Sequence, residues 1–275
     1  MPVVALPHTR LHVQEMNAGA PETVLLVHGM FTNLSIWYFN IAPLLAQHFH
    51  VVLYDLKGHG MSDKAGSGYG LQVMSEELLA LMDTLQLDTV HLCGYSYGGL
   101  IALQTAIHHP ERIKRLAVIE SPDPQEQETM NIVDIYSKEL LTHFVNGQPA
   151  GAGAPLGKRQ LERRHRMYEF LLKESTIRQD MQQEQHFFEQ AAITRIPHDT
   201  LLIYGSDSDC VPAGQALQEK ISRASLLYVN GDHNIPVQSP FVIGEALQDF
   251  FVNGPVKNTT AAYVTDKADL NINLS

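Results

Sequence analysis

The sequence predicts an α/β chain: a doubly wound, mostly parallel sheet with an inserted helical cap. Three observations carry that expectation. Short, almost wholly apolar runs alternate with segments whose apolar residues recur at helical spacing, the pattern of a parallel sheet covered on both faces. Polar, glycine-containing loops follow those runs directly, which places reactive residues along the carboxyl edge of the sheet. Between residues 125 and 195 the strand signals vanish and helical spacing alone remains.

Residues 11–16 alternate as a strand does and residues 17–21, Asn-Ala-Gly-Ala-Pro, form a turn, so an N-terminal hairpin is expected. Residues 23–27, Thr-Val-Leu-Leu-Val, read as a strand buried on both faces. His28-Gly29-Met30-Phe31 follows at once as a loop, in which His28 reads as a structural histidine rather than a ligand or base. Apolar residues at Leu34, Trp37, Ile41, Leu44 and Leu45 predict a helix over 33–48, followed by a strand at 51–54. A turn-rich loop over 55–62 is extended by the glycines of 66–70. Helical spacing resumes from Leu71 to Leu85, and residues 89–93 form the next strand. The helix after it closes at His108-His109-Pro110, whose imidazoles suit the negative end of a helix dipole better than a metal site.

Residues 113–119 are a further strand, ending in Glu120. The helical stretch that follows is interrupted by a flexible piece at 146–155, rich in glycine, alanine and proline. Strands return at 200–204 and 226–229, each followed by a polar loop, and residues 241–251 make a last amphipathic helix. The expected division is a sheet core of residues 1–124 and 196–255, a cap of 125–195, and a polar, loosely held tail of 256–275.

The chain of 275 residues is 44% hydrophobic, enough to fill the core of one large domain. Its net charge of -11 argues against nucleic acid and anionic membrane as partners, because both need a positive footprint. A small molecule or another protein fits better. Residues 1–7 lack a basic and apolar leader, no apolar run reaches membrane-spanning length, and Cys93 and Cys210 suggest no disulfide framework, so a cytoplasmic protein is expected.

The chemistry centres on Gly94-Tyr95-Ser96-Tyr97-Gly98-Gly99. A strand, a Gly-x-Ser-x-Gly turn and an apolar helix describe a nucleophile elbow. The serine is held in a strained conformation at a helix N-terminus, where unpaired N–H groups and the dipole favour an oxyanion. The backbone N–H groups of Met30 and Tyr97 are the expected oxyanion donors. Later loops deliver an imidazole at His233 and carboxylates at Glu120, Asp207 and Asp209.

Together, His28-Gly29, Asp55-x-Lys57-Gly58-His59-Gly60-x-Ser62, the elbow and Gly231-Asp232-His233 make the chain resemble the α/β-hydrolase family from about residue 11 to 251. The resemblance implies that Ser96 attacks, His233 is the base and a carboxylate orients it. One position departs from the pattern. Most members carry the acid three residues after the glycine ending the seventh strand, and here that residue is Ser208, flanked by Asp207 and Asp209. A minority, including haloalkane dehalogenases and some amide-cleaving hydrolases, carry it after the sixth strand, where this chain has Glu120. An acid ending an apolar strand is costly to bury unpaired, so Glu120 ranks first, then Asp209, then Asp207, with Asp123 an outsider.

Dehalogenases and epoxide hydrolases of this fold use an aspartate at the elbow, so Ser96 points instead to acyl transfer from a carboxylic ester or thioester. The rivals are an amide or carbon–carbon bond hydrolase and a non-catalytic ligand receptor. No cofactor and no metal are called for. For the substrate pocket, Met130, Ile135, Tyr136, Phe144, Tyr168, Phe187 and Phe188 are candidates, though most are expected to pack cap against core. Lys158, Arg159, Arg163, Arg164 and Arg166 form a basic cluster on an acidic chain. Such a face is usually only solvated; the sharper expectation is an acidic partner such as an acyl carrier protein.

Overall fold

The computed structural model describes residues 3–123, 158–183, 190–255 and 262–264. Among these, nine strands join in one sheet. They are β1 (Val3–Ala5), β2 (Arg10–Met16), β3 (Thr23–Val27), β4 (His50–Tyr54), β5 (Val90–Tyr95), β6 (Ile113–Ile119), β7 (Thr200–Gly205), β8 (Ala224–Val229) and β9 (Ala262–Val264). The order across the sheet is β1-β2-β4-β3-β5-β6-β7-β8-β9. From β4 to β9 every pairing is parallel, while β2 runs antiparallel to both β1 and β4.

The helices are α1 (Ser35–Tyr38), α2 (Ile41–Leu45), α3 (Leu71–Thr84), α4 (Tyr97–His108), α5 (Lys158–Glu169), α6 (Ile177–Gln183), α7 (Gln190–Ile193), α8 (Val211–Lys220), α9 (Ile235–Gln238) and α10 (Pro240–Asn253). They cover both faces of the sheet, and strand alternation decides which residue meets which layer. Leu25 and Val27 of β3 join the core formed with α3, α4 and α8, while Val24 and Leu26 join the core formed with α1, α2 and α10. All four are fully buried. At roughly 1.5–3 kcal/mol per buried aliphatic side chain, such double-sided strands anchor the domain.

Three local expectations need correction. The helix expected over 33–48 is two short helices, because Pro43 has no N–H to extend a helix begun before it, and the backbone breaks at Asn40 with φ -124°. The N-terminal hairpin does not cross the turn at 17–21. β2 pairs with β1 (Val3 opposite His12) and with β4 (Val13 opposite Tyr54), since the wholly buried β3 takes the sheet interior between β4 and β5. In the tail expected to be loosely held, residues 262–264 add a parallel strand to β8, with Leu227 opposite Ala262 and Val229 opposite Val264. A β-prone Ala-Tyr-Val segment thereby satisfies an edge that would otherwise present unpaired backbone groups.

Within the stretch assigned to the cap, the described residues are helical or turn: α5 runs into a π-helical turn (Phe170–Glu174), then α6 and α7. The cap's remaining residues, among them Met130, Ile135, Tyr136, Phe144, Phe187 and Phe188, lie outside the described residues. Among the described residues, no helix is long and apolar enough to cross a membrane.

The topology itself nominates a site. From β3 the chain moves outward to β4 and then returns to β5 on the other side of β3. Ligands of open α/β sheets bind at such a switch point, outside the carboxyl ends of the strands. The loop after β3 and the turn after β5 both open there.

Candidate active site

Ser96 stands between β5 and α4 with φ 53° and ψ -119°, a conformation outside the regions an L-residue normally takes. Such a residue costs of order 1–3 kcal/mol and persists only where its surroundings impose it. Here the Ser96 N–H donates to the Ile119 carbonyl at 2.8 Å, and the Ser96 carbonyl accepts from Gly99 at 2.8 Å. Two glycines make the turn possible by close approach. A Cβ on Gly94 would overlap the Gly98 carbonyl, and one on Gly98 would overlap the carbonyls of Val27 and His28.

The imidazole arrives from the loop after β8. His233 Nε2 lies 3.1 Å from Ser96 Oγ, and its Nδ1 lies 3.1 Å from Glu120 Oε2. A carboxylate only accepts, so Nδ1 carries the proton and Nε2 is left to accept from the serine hydroxyl. Tyr95, the residue before Ser96, donates its hydroxyl to the His233 carbonyl at 3.0 Å and sets its ring 5.4 Å from the imidazole. The strand that carries the serine therefore also holds the histidine loop.

Glu120 directly follows β6, fully buried and with φ 53°. Its charge is met on every side: the Gly205 N–H donates to Oε1, and Ser208 Oγ donates to Oε2 at 2.5 Å beside the His233 ring. Charge-assisted bonds of this kind offset the large cost of burying a carboxylate. Burial, reinforced by the neighbouring Glu120 charge, pushes the Tyr204 phenol well above its ordinary range, and its hydroxyl donates to the Ser121 carbonyl at 2.8 Å.

The other carboxylates are placed elsewhere. Asp207 and Asp209 are exposed on the turn after β7, where the Asp207 N–H donates to the Gly231 carbonyl. Asp123 lies 3.6 Å from Lys220. Ser208, at the position where most family members carry the acid, instead supplies a donor to Glu120. Cys210 Sγ sits 3.7 Å from His233 Nδ1.

Opposite the elbow, the loop Gly29-Met30-Phe31-Thr32 is a tight turn with Phe31 at φ 62°. A Cβ on Gly29 would lie 3.0 Å from the Ser96 Cβ, so this loop sits against Ser96. Met30 belongs to this turn, and Tyr97 is the first residue of α4, so both expected oxyanion donors belong to segments bordering Ser96. The loop is held from behind. His59 Nε2 accepts the Phe31 N–H at 3.1 Å, and His28 Nε2 accepts the Leu56 N–H at 2.9 Å. Buried Asp55 accepts from His12 Nδ1, the Leu34 N–H and the Met61 N–H at 2.8–2.9 Å. Burial, with the His28 ring adding to it, pushes the His59 imidazole down to about 3, so it stays a neutral acceptor. His28 is the structural histidine the sequence suggests.

Sequence reasoning missed three contributors: Ser208 as a donor to the acid, Tyr95 as a tether and His59 as a loop clamp. His59 carried a signal in its place in the Asp55–Ser62 motif, and Ser208 in its place at the usual acid position of the family the chain resembles. From the cap segment, Tyr168 packs edge-on against Phe31 at 5.0 Å, while Arg163 and Arg166 are exposed and Arg164 is half-buried.

Comparison with known proteins agrees with this fold. Residues 22–240 match the family model described as the alpha/beta hydrolase fold. The chain is 26% identical over 238 residues to a 2-hydroxymuconate semialdehyde hydrolase of Pseudomonas sp. (strain CF600), spanning 79% of this chain and 81% of that protein. It is 32% identical over 140 residues to a putative carbamate hydrolase of Pantoea ananatis, 49% of this chain and 50% of that one. In structure it is similar to the enol-lactonase of Burkholderia xenovorans LB400, with a TM-score of 0.71 and 22% identity over 92% of this chain and 100% of the other.

Proposed function

The chain belongs to the α/β-hydrolase family, and on that footing we propose that it hydrolyses a carboxylic ester or thioester through an acyl-enzyme on Ser96. The observation that carries this reading is the unbroken series from Ser96 Oγ to His233 Nε2 and from His233 Nδ1 to Glu120 Oε2, both contacts 3.1 Å. Ser96 attacks the carbonyl carbon as Nε2 takes its proton; Glu120 orients the imidazole and stabilises the imidazolium that forms. The tetrahedral oxyanion points toward the backbone N–H groups of Met30 and Tyr97, each such donor being worth about 10²–10³ in rate. The proton then passes to the leaving alcohol or thiol, and water attacks the acyl group by the same route to free the acid and restore Ser96.

A second reading has one observation in its favour. A relative that matches 79% of the chain is named for 2-hydroxymuconate semialdehyde, a compound whose name contains no ester, and the same residues serve hydrolysis of a carbon–carbon bond beside a ketone in this reading.

Labelling with a fluorophosphonate probe, together with turnover of a panel of esters, thioesters, amides and vinylogous diketones, tests both. Labelling at Ser96 and ester turnover, both abolished in Ser96→Ala, support acyl transfer. Turnover confined to the diketones moves the assignment to carbon–carbon cleavage. Ser96→Ala retaining full turnover of every active substrate removes the serine mechanism altogether.

A further inference from the structure

Behind the imidazole lies a group the mechanism above does not use. Cys210 Sγ, His233 Nδ1 and a Glu120 carboxylate oxygen all lie within 4.8 Å of one another. Sulfur to nitrogen is 3.7 Å and nitrogen to oxygen is 3.1 Å. A tetrahedral zinc ion with bonds of about 2.3 Å to sulfur and about 2.0–2.1 Å to nitrogen and oxygen separates the same atoms by about 3.6 and about 3.3 Å. Two of the three separations thus stand close to the spacing a soft divalent cation requires, and the third, sulfur to oxygen, lies within 4.8 Å. Glu120 and Cys210 are buried, but 11% of the His233 side chain is exposed, and both Cys210 and His233 lie in loops at the sheet edge. Thiolate, imidazole and carboxylate together select a cation such as Zn²⁺ or Cd²⁺ over Mg²⁺ or Ca²⁺.

We propose that Cys210, His233 Nδ1 and Glu120 form an inhibitory site for a soft divalent cation. Binding releases the Cys210 thiol proton to solvent and makes a metal–sulfur bond. The Nδ1 lone pair becomes the metal ligand, so the imidazole proton now at Nδ1 moves to Nε2 and the ring stays neutral. Nε2 then carries a hydrogen where Ser96 needs an acceptor, and the serine cannot transfer its proton. The cation thereby blocks the base without entering the acyl pocket. The inhibitory consequence rests on the acyl-transfer reading, whereas the binding does not.

The experiment titrates cadmium into the full chain and follows the ultraviolet thiolate-to-cadmium absorption, then measures ester turnover in zinc with and without a chelator. The parent chain is expected to show the absorption, Cys93→Ala to keep it and Cys210→Ala to lose it. Zinc inhibition, reversed by chelator, should weaken at least about tenfold in Cys210→Ala, a loss that even outer-shell partners of a metal produce. Metal-free turnover of that variant should stay close to the parent value. Cys210→Ser, similar in size, replaces Cys210→Ala should the alanine variant fail to fold. Thiolate absorption missing from the parent, or zinc inhibition equally strong in a folded Cys210 variant, overturns the proposal. A chain that takes up cadmium through Cys210 yet turns over no ester keeps the binding site and loses the acyl-transfer reading instead.

Discussion

Glu120→Gln isolates the orienting role proposed for the buried Glu120. The substitution preserves length and shape and removes one negative charge. In the folded chain the carboxylate accepts from Gly205, Ser208 and His233 Nδ1. A glutamine can keep its carbonyl toward Gly205, which places its NH₂ against Ser208 and the imidazole. The Ser208 hydroxyl rotates to accept, at small cost. The imidazole cannot rotate its way out: Nδ1 must give up its proton to accept from the amide, which leaves Nε2–H facing Ser96 Oγ across 3.1 Å. His233 is then in the wrong tautomer for the proposed proton transfer, a defect worth about 10⁴ in kcat for the corresponding acid-to-amide change in a Ser-His-Asp protease triad, or ~5.4 kcal/mol on the barrier. KM should change little, since Glu120 is fully buried behind His233. Initial rates on an activated ester, with circular dichroism and a thermal melt to establish folding, provide the assay. The exposed carboxylates Asp207→Asn and Asp209→Asn serve as controls and should retain parental turnover. A folded Glu120→Gln chain within about tenfold of the parent kcat would refute the tautomer reasoning, as would equal losses in either control.

Two further outcomes follow from the packing around the site and beneath it. Gly29→Ala places a Cβ 3.0 Å from the Ser96 Cβ and the Tyr95 ring, so the Met30 loop must shift by tenths of an ångström; kcat should fall by about tenfold or more, with KM nearly constant, and unchanged kcat would remove this loop from oxyanion stabilisation. His91 packs between Phe49 and Phe251, and burial pushes its imidazole down to about 4 against the opposing pull of Glu22, with Arg115 and Lys114 adding to the fall. Below its unfolded value of about 6.5 the unfolded chain binds a proton that the folded chain refuses, so this contribution is complete above pH 6.5 and is lost as pH falls toward 4, at no more than about 1.4 kcal/mol per pH unit. Urea midpoints measured between pH 7 and pH 5 should decline less steeply for His91→Phe than for the parent, and parallel declines would show that the ring plays no part.

The larger elements were legible because their causes are local. Residues 23–27 and 200–204 are too continuously apolar to belong anywhere but a sheet interior, and the spacing from Leu71 to Leu85 has one helical face. Boundaries that depend on partners were less legible. Pro43 divides a helix whose apolar stripe looks continuous, and residues 262–264 become a strand only because β8 offers an edge.

From its residue order alone, the chain determined the sheet, the elbow at Ser96, the late histidine and a short set of candidate acids. Tertiary structure alone decided which carboxylate turns to the imidazole, because Glu120, Ser208, Cys210 and His233 come from loops up to 113 residues apart and their hydrogen bonds exist only once β6, β7 and β8 lie side by side. A chain order can bring a residue type to the right edge; the direction of its side chain depends on backbone angles, such as φ 53° at Glu120, that neighbouring strands impose.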